Sequence, residues 1–321
     1  MELDPKKIEE GLDGEQLRAF SRRLLDDIHA LELMIERGMI ETGIRRIGAE
    51  QEMFLVRPTG WAAPVGVEVL EALDHPQFTT ELARFNLEAN ANPAEFGGGC
   101  LRTLHKELDA LLDAARQAAN TQDSDIVLTG ILPTLRLEDL ELDNMTPMPR
   151  YHALNQAMSQ LRGGTFRMAF KGVDELQVEH DNILLEACNT SFQIHFQVSP
   201  DEFSKLYNLA QAVTAPVLAA AVNSPVLLQK RLWQETRIAL FQQSVDTRSP
   251  TLRRRGQRAR VSFGERWLDD SILEIFREDL SRLKVVFAGS DEEDSLAMVE
   301  RGESPELYSL RQYNGTVYRW N

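Results

Sequence analysis

The sequence predicts an α+β fold, with a largely antiparallel sheet packed by helices, and three observations predict it. Segments of period-two alternation recur from Arg46 onward. Long amphipathic helical stripes follow Asp13 and Gly99. Strands in the middle of the chain succeed one another without the regular helical crossovers that a parallel sheet requires. At 321 residues, 43% hydrophobic and 26% charged, the chain carries enough apolar material for one large core or two smaller ones.

Asp13 is a suitable N-cap for a helix whose residues Leu17, Phe20, Leu24, Ile28, Leu31 and Ile35 form one stripe ending near Gly38. Such a stripe packs either on the chain's own core, the commoner outcome, or on a partner subunit, so a homo-oligomer is compatible with it. Residues 46–56 read as a strand, followed by a loop marked by Pro and Gly and a short helix over 67–73. A second strand is predicted over 83–90. The triplet Gly97-Gly98-Gly99 breaks the chain before a helix over 101–119, with Leu101, Leu104, Leu108, Leu111 and Ala115 on one side. Further strands are expected at 125–130, 165–170, 175–180 and 191–198, and helices at 151–161, 200–221, 233–243 and 269–283. Pro216 is expected to kink the second helix of this set from within.

Fifty acidic residues against 35 basic ones leave a formal net charge of -15, which repels a phosphate backbone or an anionic bilayer. Nucleic acid and membrane partners are therefore not expected. The N-terminus lacks the apolar stretch of a signal peptide, and no run reaches membrane-spanning length. Cys100 and Cys188 have neither the number nor the spacing of a disulfide framework or a thiolate zinc site, which fits a cytoplasmic location.

Candidate chemistry starts in Gly48-Ala49-Glu50-Gln51-Glu52, where alternation puts both glutamates on one face of an otherwise apolar strand. Glutamates on an edge strand simply face water; on a mostly buried strand they repel unless a cation or basic groups sit between them. In Phe85-Asn86-Leu87-Glu88-Ala89-Asn90, the residues Asn86, Glu88 and Asn90 share the polar face, and Glu95 lies just beyond. Residues 191–198 alternate Phe192, Ile194, Phe196 and Val198 against Gln193, His195 and Gln197. Three strands that each present carboxylate or imidazole on one face point to a hard cation, Mg2+ or Mn2+, rather than structural zinc.

These segments resemble the type 2 glutamate-cysteine ligase and carboxylate-amine ligase family, relatives of glutamine synthetase. The likeness runs from Gly48 to the last residue. It rests on the Gly-x-Glu-x-Glu strand and on Asn86-Leu87-Glu88-Ala89-Asn90-Ala91-Asn92-Pro93. It continues in Gln193-Ile194-His195, Asn223-Ser224-Pro225 and Asn314-Gly315-Thr316-Val317-Tyr318-Arg319-Trp320-Asn321. Where the family commonly has His-x-His this chain has Gln193, so a ligand role carries over to His195 alone.

The resemblance implies a glutamine synthetase-like catalytic domain over residues 43–321, preceded by a helical extension over 1–42. It implies that ATP and Mg2+ (or Mn2+) bind on the concave sheet face, with one cation among Glu52, Glu88 and Glu95 and a second at Glu50 and His195. Arg319 would contact phosphate and act catalytically, and Arg237 and Arg248 lie where relatives recognise nucleotide or substrate. The implied reaction activates an amino-acid carboxylate, such as the γ-carboxylate of glutamate, as an acyl phosphate that an amine such as cysteine then attacks. The chain stops at Trp320-Asn321, inside a segment that the family continues, so the resemblance also implies a C-terminal part with one more strand carboxylate.

Two other readings fit the same elements: a guanidino-kinase-like phosphotransferase, and a non-catalytic sensor or assembly module of the same fold. The basic run from Arg253 to Arg260 fits either a loop that covers an anionic ligand or a solvated loop.

Overall fold

The computed structural model describes residues 14–286, 288, 293–315 and 317. Strands are β1 (Arg46–Val56), β2 (Phe78–Thr80), β3 (Asn86–Glu95), β4 (Asp125–Val127), β5 (Phe166–Lys171), β6 (Glu175–His180), β7 (Phe192–Phe196), β8 (Val226–Leu227) and β9 (Lys230–Arg231). Helices are α1 (Gly14–Glu36), α2 (Gly66–Leu73), α3 (Cys100–Asn120), α4 (Pro149–Arg162) and α5 (Phe203–Ala220). They continue with α6 (Thr236–Ser244), α7 (Pro250–Arg254), α8 (Leu273–Arg282), α9 (Ser295–Glu300) and α10 (Tyr308–Asn314). The fold is α+β with antiparallel pairing throughout the named strands. Among the described residues no helix is long and apolar enough to cross a membrane.

β1 is the axis of the main sheet. It pairs with β3 along one edge, and along the other with β7 over Ile47 to Gln51 and then β4 over Phe54 to Val56. β2 borders β3. Successive side chains of β1 point to opposite faces, so its apolar odd positions and its carboxylates separate cleanly. Ile47, Ala49, Met53 and Leu55, with Leu87 and Ala89 of β3, pack beneath α3 and α2, where Leu104, Leu111, Ala115 and Val69 close the layer. The stripe that predicts α3 is the stripe that covers the sheet, as the buried Leu104, Leu111 and Ala115 show. Met53 and Leu87 are fully buried, each stabilising the fold by roughly 1.5–3 kcal/mol.

On the opposite face, only the far end of β1 is apolar. Phe54 and Val56 join the largest core together with Phe85, the β5–β6 hairpin and the turn over Ile183–Cys188. β5 shows the period in its burial, with Phe166, Met168 and Phe170 inside and Arg167, Ala169 and Lys171 outside. This hairpin forms its own two-stranded sheet instead of extending the main one.

α1 packs within the chain. Phe20, Leu24 and Ile28 meet Leu273 of α8 and Leu310 and Tyr313 of α10. The buried Asp27 carboxylate accepts hydrogen bonds from Ser295 Oγ at 2.6 Å and the Leu310 backbone N–H at 2.9 Å, fixing α1 to α9 and α10. The acidic run at 291–294 lies partly outside the described residues; within it Asp294 caps α9 by accepting from the Ala297 N–H.

Three of the differences from the sequence expectation have a physical reason in the fold. β3 starts three residues later than expected and runs on to Glu95 through Pro93, which is tolerated because the register slips between Ile47 and Ala49. Such a bulge leaves room for a residue that has no N–H to donate. β4 stops at Val127, after which the Gly130 N–H turns to the Asn223 carbonyl. α5 continues through Pro216 and buries none of its residues, with Leu209, Val213 and Val217 exposed.

The packing makes a specific stability contrast. Leu87→Ala should lower unfolding free energy in urea by about 2–5 kcal/mol, because it opens a cavity between sheet and helices. Leu209→Ala on the exposed face of α5 should change it by less than about 0.5 kcal/mol. Equal losses from the two would contradict the assigned core.

Candidate functional site

The β1–β3 register sets Glu52 directly opposite Glu88, and Glu50 opposite Asn90. On the other edge of β1, Glu50 faces Gln193 and Gly48 faces His195. Residues directly opposite in an antiparallel pair share a face, so Glu50, Glu52, Glu88, Asn90, Gln193 and His195 all project from the side away from α3. Two like charges directly opposite destabilise a sheet on their own. Their placement therefore calls for another group between them.

A third carboxylate joins them from a loop. Glu81 lies between β2 and β3, and one oxygen from each of Glu52, Glu81 and Glu88 lies within 4.8 Å of the other two. The loop is held by several long-range bonds. The Thr146 hydroxyl donates to the Glu81 carbonyl at 2.6 Å, the Thr146 N–H to the Leu82 carbonyl at 3.0 Å, and the Tyr151 hydroxyl to the Thr80 carbonyl at 2.7 Å. Gly66 allows the start of α2 to approach the same loop, since a Cβ there would sit 2.7 Å from the Arg84 carbonyl oxygen.

Burial governs the electrostatics of the cluster. Glu52 is pushed up to about 8, first by desolvation and then by the charge of Glu186, even though Ser191 donates to it from its N–H at 2.7 Å and its hydroxyl at 3.0 Å. Glu81 is raised well above the ordinary carboxylate range by desolvation, by Glu52, Glu88 and Glu186, and by a hydrogen bond with Glu88 that favours its protonated form. Glu186, in the turn after Asn182, is raised to about 7 by burial. Glu50 is raised more moderately, by desolvation and then Glu88, and the His195 imidazole 3.2 Å away opposes the shift. Glu88 accepts from the Asn90 amide at 2.8 Å.

The donor set fits a hard divalent cation. An ionised carboxylate can only accept, several such oxygens converge on one point, and no arginine or lysine forms an ion pair with Glu52, Glu81 or Glu88 among the described residues. Glu50 and His195 form a separate pair along the same face, with two protein groups able to reach a second cation.

The structure departs from the expected ligand set at Glu95. That residue pairs with Arg46 at the far end of β3, six positions along β1 from Glu52, or roughly 20 Å at strand rise. It is exposed and does not approach Glu88. The third carboxylate of the cluster is Glu81 instead. No periodic signal marks Glu81, because it sits in a loop; Glu186 had a weak one, a lone acidic residue inside Ile183-Leu184-Leu185-Glu186-Ala187-Cys188.

The arginines are largely committed within the fold. Arg237 forms an ion pair with Glu235 and donates to the Thr190 carbonyl at 3.1 Å, one residue from the serine that holds Glu52. Arg248 grips the buried Asp246 carboxylate with two bonds of 2.8 Å and donates to the Gln257 carbonyl at 2.7 Å. The basic run is partly tied down as well: Arg253 pairs with Asp246 at 2.9 Å, Arg258 with Glu265, and Arg260 donates to the Lys284 carbonyl. Arg319 lies outside the described residues.

An antiparallel sheet with a cluster of partly buried carboxylates on one face and helices on the other has the donor chemistry that a hard divalent cation takes. The chain matches the glutamate-cysteine ligase family 2 (GCS2) over residues 46–278, and it belongs to that family. The match begins with β1 and takes in Glu50, Glu52, Glu81, Glu88 and Glu186. Membership supports an ATP-dependent carboxylate-amine ligase activity. A search of curated proteins finds no match to this chain.

Raised carboxyl groups stabilise the fold while protonated and cease to do so as they ionise. For Glu52 that stabilisation is complete below its unfolded value of about 4.3 and is lost as pH climbs toward 8. In chelator, the melting temperature should therefore fall by roughly 5 °C between pH 5 and pH 8, and less in Glu52→Gln. Millimolar Mg2+ or Mn2+ should recover most of the loss at pH 8. A flat pH profile in chelator would contradict the buried-carboxylate assignment.

Proposed function

We propose that this protein joins an amino-acid carboxylate to an amine at the expense of ATP, with Glu52, Glu81 and Glu88 holding one Mg2+ or Mn2+ and Glu50 and His195 assisting a second. One observation carries the reading: three carboxylates converge within 4.8 Å on a partly buried sheet face, with no basic partner among the described residues. Glu52 and Glu81 are strained in their ionised forms there, and a cation relieves that strain. The cation would supply neutralisation of phosphate charge and a fixed orientation for the triphosphate.

The chain's own groups supply the remaining functions. Ser191 orients Glu52 through two hydrogen bonds, and Asn90 orients Glu88, so both carboxylates present a fixed edge. The closely packed turn over Ile183–Cys188 excludes water on one side, which would protect an activated acyl phosphate from hydrolysis. Arg319 is assigned a phosphate contact on the strength of its Thr316-Val317-Tyr318-Arg319-Trp320 context. Glutamate and cysteine, the pair in the family's name, are the reference substrates.

Calorimetry should show ATP binding that depends on Mg2+ or Mn2+ and weakens at least tenfold in excess chelator. Equal affinity without the cation would remove the metal-centred reading. Glu52→Gln and Glu81→Gln should each weaken Mn2+ binding by about 10–100-fold, as loss of a ligand charge does, while Glu95→Gln should leave it unchanged. With ATP, Mg2+, a carboxylate substrate and hydroxylamine, the enzyme should form a hydroxamate, the product of trapping an activated carboxylate.

A further inference from the structure

The β1–β3 ladder fixes Glu52 and Glu88, but it does not fix Glu81. Glu81 follows β2 in a loop, yet its carboxylate stands within 4.8 Å of both others, against the repulsion of like charges. Something other than strand pairing holds it there. The restraint comes from one stretch of chain, residues 144–151, which leads into the first turn of α4.

Three consecutive backbone carbonyls of the loop each accept a donor from that stretch. Thr80 accepts from the Tyr151 hydroxyl at 2.7 Å, Glu81 from the Thr146 hydroxyl at 2.6 Å, and Leu82 from the Thr146 N–H at 3.0 Å. Beyond them Ala83 forms an antiparallel bridge with Met145, and the Arg84 N–H donates to the Asn144 carbonyl at 2.9 Å. Tyr151 is itself held. Arg150 Nη2 donates to its hydroxyl at 2.7 Å and to Thr80 Oγ1 at 3.2 Å, and the guanidinium lies 4.6 Å over the tyrosine ring. A cationic donor polarises the hydroxyl and strengthens the bond that the hydroxyl gives to Thr80. The bonds to Thr80, Glu81 and Leu82 end on backbone oxygens, so they fix where the Glu81 side chain starts without occupying its carboxylate.

Resting on the metal-centred part of the proposed function, we propose that Tyr151 and Thr146 are positioning residues that set the reach of Glu81 and so select the cation by size. Mg2+ requires near-octahedral oxygens at about 2.0–2.1 Å, whereas Ca2+ accepts more ligands at about 2.3–2.6 Å in flexible geometry. A carboxylate on a braced loop meets the stricter requirement. Released from the brace, the same carboxylate still reaches Ca2+, which adapts to it, but loses the geometry that Mg2+ needs. The pair therefore governs the ratio of the two affinities more than it governs affinity as such.

The test titrates the full chain with Mn2+, reading the free ion by electron paramagnetic resonance, and then displaces Mn2+ with Mg2+ or Ca2+. Tyr151→Phe should weaken Mg2+ by about tenfold, the loss typical of a residue that orients a metal ligand. The same substitution should weaken Ca2+ by less than about threefold, because that ion tolerates a looser ligand. Thr146→Val, which removes the other hydroxyl at constant volume, should act in the same direction, and Thr146→Ser should restore the wild-type ratio. In a Glu81→Gln background neither substitution should cost more than about a further twofold, since the group they position has lost its charge. Circular dichroism checks that each variant folds, and the two substitutions remove different bonds to the loop, so either one decides. Equal losses for Mg2+ and Ca2+, or the full loss repeated in the Glu81→Gln background, would overturn the proposal by showing a general loosening of the fold. A protein whose Mn2+ binding falls in Glu52→Gln and Glu81→Gln but ignores Tyr151→Phe and Thr146→Val keeps the metal-centred reading and loses this one. A wild-type chain that binds no Mn2+ loses both.

Discussion

The arrangement depends on one unfavourable contact, the direct opposition of Glu52 and Glu88 across the β1–β3 ladder. In water two such carboxylates would separate; here the ladder fixes their backbones, and Glu81 is brought in from above by a loop that has its own tertiary anchors. The result is a point of negative potential inside a partly desolvated face. Carboxylates there either take up protons or share a cation, and the upward displacement of Glu52 and Glu81 measures how strongly the site is biased toward doing one or the other.

Holding that contact in place requires stability from elsewhere, and the sheet's other face provides it. Met53, Leu55, Leu87 and Ala89 alternate with the carboxylates along the same two strands and are clamped under α3. The two faces are mechanically one object, because a shift of one residue in register would bring the glutamates into the apolar layer and the leucines out. The register is thus held by hydrophobic burial, and the carboxylate cluster inherits it.

The cluster's lack of a basic partner contrasts with the treatment of charge elsewhere. Asp246, also buried, is met by Arg248 and Arg253, and Arg237 is met by Glu235. Those arginines lock the polypeptide around α6 and α7, so they act as structural cross-links in this state.

The amino-acid sequence by itself determined the faces. Period-two alternation placed Glu50, Glu52, Glu88 and His195 on polar strand faces, and a 3.6-residue stripe placed α3 over the opposite side, because both periodicities are properties of a local backbone. The family likeness, carried by short motifs in order, was legible in the same way. Tertiary structure alone decided which carboxylates meet. The resemblance set Glu95 beside Glu88, but an extended strand carries seven residues over a distance no carboxylate can span, and the bulge opposite Gly48 re-phases its face. Glu81 and Glu186 sit in a loop and a tight turn, where no period exists to read. Their positions follow from contacts with Thr146, Tyr151 and the core around Ile183, made between segments far apart in the chain.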